Sequence, residues 1–231
     1  VLAGKALTDG AFAFGLYQGD TSTGNPVKIV QNDKEGKINL ALTGLTIGEY
    51  DYKLKEENVG ADPTITYDTK AVKVHVSVKA EGDKAKATVT YDGKNDAPTF
   101  TNKYQPAETS VALTAKKAYV KPDNTPATLK GGEFTFDLKD AAGNVLDTAK
   151  NDANGKVSFT REFQLSYLDG AASKDFTYTI VEQPGAEPGM VYDSHPLTYT
   201  VTVTDGGNGA LNAKAIVTSA SGSDTFTNTY Q

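Results

Sequence analysis

The chain has 231 residues, 23 basic against 29 acidic side chains for a net charge of −6, and no cysteine. The lack of thiols excludes disulfides, thiolate metal sites and cysteine nucleophiles, and an acidic balance with both signs interspersed argues against nucleic-acid or anionic-membrane partners. No apolar run approaches the roughly 18 residues of a membrane helix, and no signal peptide or C-terminal sorting motif is present, so the chain reads as a fragment of something longer.

The pattern along the chain is almost purely β. Gly10-Ala11-Phe12-Ala13-Phe14 opens an aromatic strand, and Asn32–Lys37 is a predicted hairpin turn whose Asn, Asp and Gly tolerate positive φ. Tyr50–Glu56 alternates, with Tyr52, Leu54 and Glu56 on one face and Lys53 and Lys55 on the other. Tyr67-Asp68 precedes the strictly alternating strand Val72–Val78, and Ala80–Asp83 is a second predicted hairpin turn. Thr99–Tyr104 closes the block with Phe100, Asn102 and Tyr104 on one face, so two large rings flank an amide where a plain core would carry Val or Leu.

After the short polar stretch Gln105–Ser110, the sequence repeats these features in order. Gly132-Glu133-Phe134-Thr135-Phe136 echoes the first aromatic strand, Phe176–Glu182 echoes Tyr50–Glu56, Tyr192-Asp193 echoes Tyr67-Asp68, and Thr225–Tyr230 echoes Thr99–Tyr104. The offset between the closing strands, 226 − 100 = 126 residues, is the size of a sandwich domain. The chain is therefore expected to be all-β, two tandem sandwiches at 1–105 and 106–231. Asn151–Lys156 and Asp205–Gly209 complete the predicted hairpin turns.

The second repeat sends three polar residues to one core. In the strand that opens it, Lys117 shares a face with Val111, Leu113, Ala115 and Tyr119, Glu182 shares a face with Phe176, Tyr178 and Ile180, and Asn228 lies between Phe226 and Tyr230. Alone, an inward Lys at a strand end commonly snorkels to solvent and a Glu closing a strand is commonly solvated. Together they describe a different chemistry. Desolvation favours neutral forms, lowering a Lys pKa and raising a Glu pKa; a neutral amine is a nucleophile, and an Asn side chain is an amide with a leaving group. A shift of strand register by one residue would make Lys116 the amine instead.

Lys117-Ala118-Tyr119, Gly131–Phe136, Phe176–Glu182 and Thr225–Tyr230 together resemble the isopeptide domain of streptococcal major pilins of the T-antigen type, related to the B-type repeats of collagen adhesins on Gram-positive cell walls. The resemblance covers nearly the whole chain, twice. It implies two immunoglobulin-like sandwiches of collagen-adhesin B type, in which a Lys of the first strand condenses with an Asn of the last, an acidic residue assists and ammonia leaves. Carried over, Lys117 is the nucleophile, Asn228 the acceptor and Glu182 the proton shuttle, hydrogen-bonding the Asn228 carbonyl as its oxyanion develops. In the first repeat Glu56 and Asn102 correspond, and the matching Lys is expected just before Val1. Lys5 comes after that position, which leaves Asn102 as an unpaired acceptor.

The resemblance further implies a structural stalk or shaft module outside the cell, in a pilus or cell wall, with neighbouring domains of the same surface protein or pilus as partners. The rival readings are a ligand-binding adhesin module recognising a host ligand, and a split partner whose first repeat captures a Lys-bearing strand. No enzyme acting in trans, cofactor or metal is expected. His75 and His195 fall at non-corresponding positions and are expected on the surface.

Overall fold

The computed structural model describes all 231 residues, and the chain divides into two compact units, Val1–Gln105 and Pro106–Gln231. The first unit contains β1 (Leu2–Ala3), β2 (Ala13–Gln18), β3 (Lys28–Gln31), β4 (Gly48–Glu56), β5 (Ile65–Thr66), β6 (Ala71–Glu81), β7 (Lys84–Tyr91) and β8 (Asn102–Tyr104). Five of these form an antiparallel sheet in the order β3-β2-β4-β6-β7, and the rest form a small sheet in the order β1-β8-β5. The second unit contains β9 (Thr109–Val120), β10 (Thr135–Lys139), β11 (Val145–Lys150), β12 (Lys156–Phe163), β13 (Ser173–Glu182), β14 (Met190–Val191), β15 (Leu197–Asp205), β16 (Leu211–Val217) and β17 (Thr225–Tyr230). Its sheets run β11-β10-β13-β15-β16 and β12-β9-β17-β14. Each unit is a β-sandwich, and only a single-turn 3₁₀ helix at Leu165–Leu168, anchored by buried Leu168, interrupts the β pattern.

The alternation of the strands builds the cores directly. Leu197, Tyr199, Val201 and Val203 of β15 face inward and meet Leu113 and Ala115 of β9, Val157 and Phe159 of β12, and Phe226 of β17. Phe226 packs edge-on against Phe136 at 5.2 Å between ring centroids, and Phe100 meets Phe14 at 5.1 Å in the first unit. Full burial of such a side chain is worth about 1.5–3 kcal/mol, so these rings fix the closing strand of each unit against the opposite sheet. In the first unit an apolar groove of about 450 Å³ lies over the inner face of the large sheet, bordered by Ile38, Leu40 and Leu42, which alternate half-buried without joining a strand.

Two of the four expected hairpin turns are hairpins: Ala80–Asp83 joins β6 to β7 and Asp205–Gly209 joins β15 to β16. The other two are not. Asn151–Lys156 carries the chain from β11 in one sheet to β12 in the other, and Asn32–Lys37 leads out of β3 and pairs back only through a single antiparallel bridge, Asn32 to Ile38. Gly, Asn and Asp set a local reversal; which strands then pair is decided by tertiary contacts. A buried amide pins each corner, Asn151 Oδ1 accepting from the Phe134 N–H at 2.8 Å and Asn32 Oδ1 from the Phe12 N–H at 2.7 Å.

Gly155 at the second corner adopts φ +80° and its carbonyl accepts the Lys117 N–H at 2.6 Å; a Cβ there would lie 2.3 Å from the Lys117 carbonyl oxygen. Its counterpart Gly36 has φ +86° but would meet only the tip of Leu7, at 3.3 Å. Both substitutions to Ala carry left-handed strain of roughly 1–3 kcal/mol. Gly155→Ala must also displace the backbone of β9, so it is expected to destabilise its unit by more than Gly36→Ala destabilises the other, read as the difference in denaturation midpoints. Equal losses would remove the steric role assigned to Gly155.

Candidate functional site

Strands β9 and β17 lie side by side and parallel, with Lys117 opposite Phe226 and Tyr119 opposite Asn228. Both strands alternate in and out of the core, so Lys117 and Asn228, two positions apart in register, project inward as diagonal neighbours. Glu182, the last residue of β13, enters from the facing sheet beside Phe136. Lys116 points the other way, its side chain 69% exposed and paired with Asp224 at 3.2 Å. The face of β9 thus settles which lysine enters the core, whereas both the Lys117 and Glu182 side chains are fully enclosed.

Within this core the Lys117 amine donates to Glu182 Oε2 at 2.9 Å and to the Phe226 carbonyl at 3.3 Å, over the ring of Phe134. The Asn228 amide nitrogen donates to the other oxygen, Glu182 Oε1, at 2.5 Å. One carboxyl therefore holds both the amine and the amide. Burial pushes the Glu182 carboxyl above its ordinary range, against hydrogen bonds from Lys117 and Asn228 that pull it down. Burial likewise pushes the Lys117 amine down, against the Glu182 carboxylate that pulls it up. Since desolvation is the larger influence on both, the enclosed pair is driven toward its neutral form.

The expected contact between Glu182 and the Asn228 carbonyl is not what the structure contains. Glu182 faces the amide nitrogen, and the Asn228 carbonyl oxygen accepts instead from the main-chain N–H of Asp193 at 2.8 Å. The reason is geometric: a carboxyl has two oxygens, and both are engaged, one by the amine and one by the group that would leave. His195, expected on the surface, is half-buried, bonded through Nδ1 to Asp193 at 2.6 Å and stacked on Phe226. The echo of Tyr67-Asp68 in Tyr192-Asp193 was the available signal for this element, but a Tyr-Asp pair in a turn does not state that its backbone addresses an amide. His75 does lie at the surface, bridging Asp51 and Glu49.

The first unit assembles the same parts around Asn102. Its amide nitrogen donates to Glu56 Oε1 at 2.7 Å, its carbonyl accepts the Asp68 N–H at 2.7 Å, and Glu56 Oε2 is buried without a hydrogen-bond partner. β1 pairs parallel to β8 with Leu2 opposite Asn102, as Tyr119 stands opposite Asn228. By that register the position facing Phe100 as Lys117 faces Phe226 falls immediately before Val1. Lys5 lies over the ring of Tyr104, Lys53 pairs with Asp20 and Lys55 lies over Tyr17.

With this geometry in hand, comparison with known families is decisive: the model for the Spy0128-like isopeptide containing domain matches residues 1–105 and again 113–231. The chain belongs to that isopeptide-domain family. Among solved structures, the major pilin from Streptococcus pyogenes is 16% identical over 99% of this chain and 95% of its own, with a TM-score of 0.35. The T-13 major pilin of the same species is 18% identical over 98% and 91%, with a TM-score of 0.32. Comparison with curated proteins gives no match. Each of the two isopeptide domains here carries the Glu–Asn hydrogen bond, and in the second a lysine amine joins it.

Burial pushes the Glu56 carboxyl up, against the hydrogen bond from Asn102. A carboxyl whose folded-state pKa is raised contributes stability that is complete below its unfolded value and is lost as pH rises through its folded value. Glu56→Gln mimics the protonated form. The melting temperature of the variant, minus that of the unaltered chain, should therefore increase between pH 4 and pH 7 in the first unit's transition. A difference independent of pH would contradict a buried, raised Glu56.

Proposed function

We propose that this chain is a structural module of a Gram-positive pilus shaft or surface stalk, held by a spontaneous Lys117–Asn228 isopeptide bond formed with the help of Glu182. The observation that carries the reading is one enclosed carboxyl holding a lysine amine on one oxygen and an asparagine amide on the other. Membership of the isopeptide-domain family supports it. The chain's role is extracellular on this reading, its partners other subunits of the same polymer, and its chemistry a single self-directed turnover rather than catalysis in trans.

The reaction balances within the three side chains. Glu182 takes a proton from the Lys117 ammonium, leaving a neutral amine beside a neutral carboxyl. Lys117 Nζ attacks Asn228 Cγ, forming the Nζ–Cγ bond as the carbonyl electrons move to Oδ1. Glu182 then delivers its proton to Nδ2 and recovers one from Nζ. The oxyanion collapses, the Cγ–Nδ2 bond breaks and ammonia departs. Holding both partners on one carboxyl supplies orientation that free amines and amides lack in water, and the apolar surroundings exclude competing hydrolysis.

The bond would join the strand by which the chain enters the unit to the strand by which it leaves. In the chain-entropy account of a crosslink, a loop of about 100 residues gives about 4.7 kcal/mol, and here 228 − 117 = 111 residues are closed. The ligand-binding reading finds little support, because Tyr167 is the only aromatic among the exposed large apolar side chains.

Intact-mass measurement of the purified 231-residue chain should give its sequence mass less one ammonia, with Lys117 linked to Asn228 in the tryptic map. Glu182→Ala should restore the full mass. Lys117→Met, which keeps the buried stem but not the amine, should lower the second unit's melting temperature by roughly 15 °C from the loss of loop entropy. Full mass in the unaltered chain, or a link through Lys116, would overturn the assignment.

A second reading is favoured by the first unit, where Leu40 and Leu42, which lie outside any strand, the apolar groove and the unpartnered Glu56 oxygen lie in one sandwich. In the second unit the corresponding strand β12 pairs with β9. The first unit would on this reading accept a strand with the pattern of β9 by β-augmentation. A peptide spanning Thr109–Lys117, which stops short of the positions that β1 already holds on β8, should then perturb amide resonances of β8 and of residues 38–42, and in time add its mass less one ammonia. Unchanged spectra at millimolar peptide would exclude strand capture.

A further inference from the structure

The proposed reaction generates negative charge on the Asn carbonyl oxygen, and neither Glu182 oxygen is available to it. An amide carbonyl attacked by an amine needs a donor at the place where charge develops, and preorganised main-chain N–H groups are the usual source. The donor aimed at Asn228 Oδ1 is the Asp193 N–H at 2.8 Å. The peptide group that supplies it is held from both sides. Asp193 Oδ2 accepts the N–H of Thr227, the residue preceding Asn228, at 2.8 Å, while Oδ1 accepts the His195 main-chain N–H at 3.1 Å and the His195 ring Nδ1 at 2.6 Å. The imidazole in turn stacks on Phe226 at 4.3 Å between centroids.

The first unit repeats the device with a different side chain. The Asp68 N–H holds Asn102 Oδ1, Asp68 Oδ2 accepts the Thr101 N–H at 2.9 Å, and Lys70 replaces the histidine, donating to Asp68 Oδ2 at 2.8 Å and lying over Phe100. Two units with different local sequences thus keep the same three elements: an N–H on the amide oxygen, a carboxylate on the next N–H along the closing strand, and a basic side chain two residues on that caps the carboxylate over the Phe ring. An Asp carboxylate this close to a developing oxyanion would repel it; a donor side chain bonded to the carboxylate offsets that repulsion and leaves the N–H dipole acting alone.

We infer that the Asp193 main-chain N–H is the oxyanion donor of the Lys117–Asn228 condensation, and that the Asp193 carboxylate with His195 is the clamp that aims it. The N–H touches the reacting amide and is catalytic; the two side chains are positioning groups. The Asp193 charge also favours the proton on Glu182, the form that can protonate departing nitrogen. This inference rests on the crosslinking reading above.

The test follows ammonia loss in time by intact mass, on the full chain made in a reconstituted translation system. Replacing Asp193 by its α-hydroxy analogue converts the preceding amide to an ester and deletes only the N–H. Bond formation should slow about 100-fold or more, while the ester variant in a Glu182→Ala background melts within a few degrees of Glu182→Ala alone. Asp193→Ala should also slow the reaction, and Asp193→Asn, which keeps an acceptor for Thr227, should recover most of the rate. An ester variant that crosslinks at the unaltered rate overturns the donor assignment, and Asn and Ala variants slowed alike overturn the clamp. Should the ester variant fail to fold, the Asn and Ala pair decides. Absence of ammonia loss in the unaltered chain would defeat the crosslinking reading itself, and this inference with it, whereas normal loss with an indifferent ester variant defeats this inference alone.

Discussion

One carboxyl group in an apolar core sets the rest of the second unit's arrangement. Glu182 cannot be ionised cheaply there, nor can Lys117, and their mutual attraction at 2.9 Å only partly offsets the desolvation of two charges. The core tolerates them because proton transfer between them yields two neutral groups, each still hydrogen-bonded, and because Asn228 fills the remaining oxygen of the carboxyl. A permanent ion pair would be a liability at this place. On the crosslinking proposal the liability would be removed, since the amine would end as part of an amide with Asn228 and Glu182 would remain as a neutral acid hydrogen-bonded to it. The apolar rings of Phe134, Phe136 and Phe226 around these groups supply the desolvation that drives the amine toward its neutral form.

Comparison of the two units separates what holds the amide from what would attack it. Glu56 and Asp68 address Asn102 as Glu182 and Asp193 address Asn228, at nearly the same distances. The amide site is therefore built by the closing strand, the end of the long central strand and the Tyr-Asp turn, without contribution from a lysine of the opening strand. The amine is delivered separately, by a parallel neighbour of the closing strand. A preformed acceptor and an independently placed amine account for the unit-to-unit variation in the side chain over the Phe ring, Lys70 in one and His195 in the other, since that position bears on the turn and not on the amine.

Much of this was legible in the sequence because the period of a strand is two. Inward parity alone placed Lys117 rather than Lys116 in the core, set Glu182 with Tyr178 and Ile180, and put Asn228 between rings. Parity says nothing about which strands are neighbours, and here the reading from turns went astray: Asn151–Lys156 has hairpin composition yet crosses between sheets. It also says nothing about main-chain groups. The Asp193 N–H belongs to no side-chain pattern, so the sequence does not reveal the donor on the Asn228 carbonyl, a contact that the family resemblance gives to Glu182. His195 was missed for a related reason, because its burial comes from stacking on Phe226 and bonding to a turn, and neither follows strand alternation.

The parallel pairing of β9 with β17 determines what a crosslink at this place would do. Adjacent parallel strands cannot be joined by a tight turn, so the loop closed by pairing the first and last strands of the unit contains everything between them. The proposed reaction needs both side chains enclosed, so it would follow the packing of the core that desolvates them. A bond formed at that stage records a finished fold and encloses nearly the whole unit. Its main consequence is kinetic: opening β9 from β17 is the step that tension on the two ends would drive first, and a covalent link between them converts that step from strand separation into amide cleavage. An antiparallel pair joined by a short turn would gain little from the same chemistry, because the loop closed would be short and the strands would separate last.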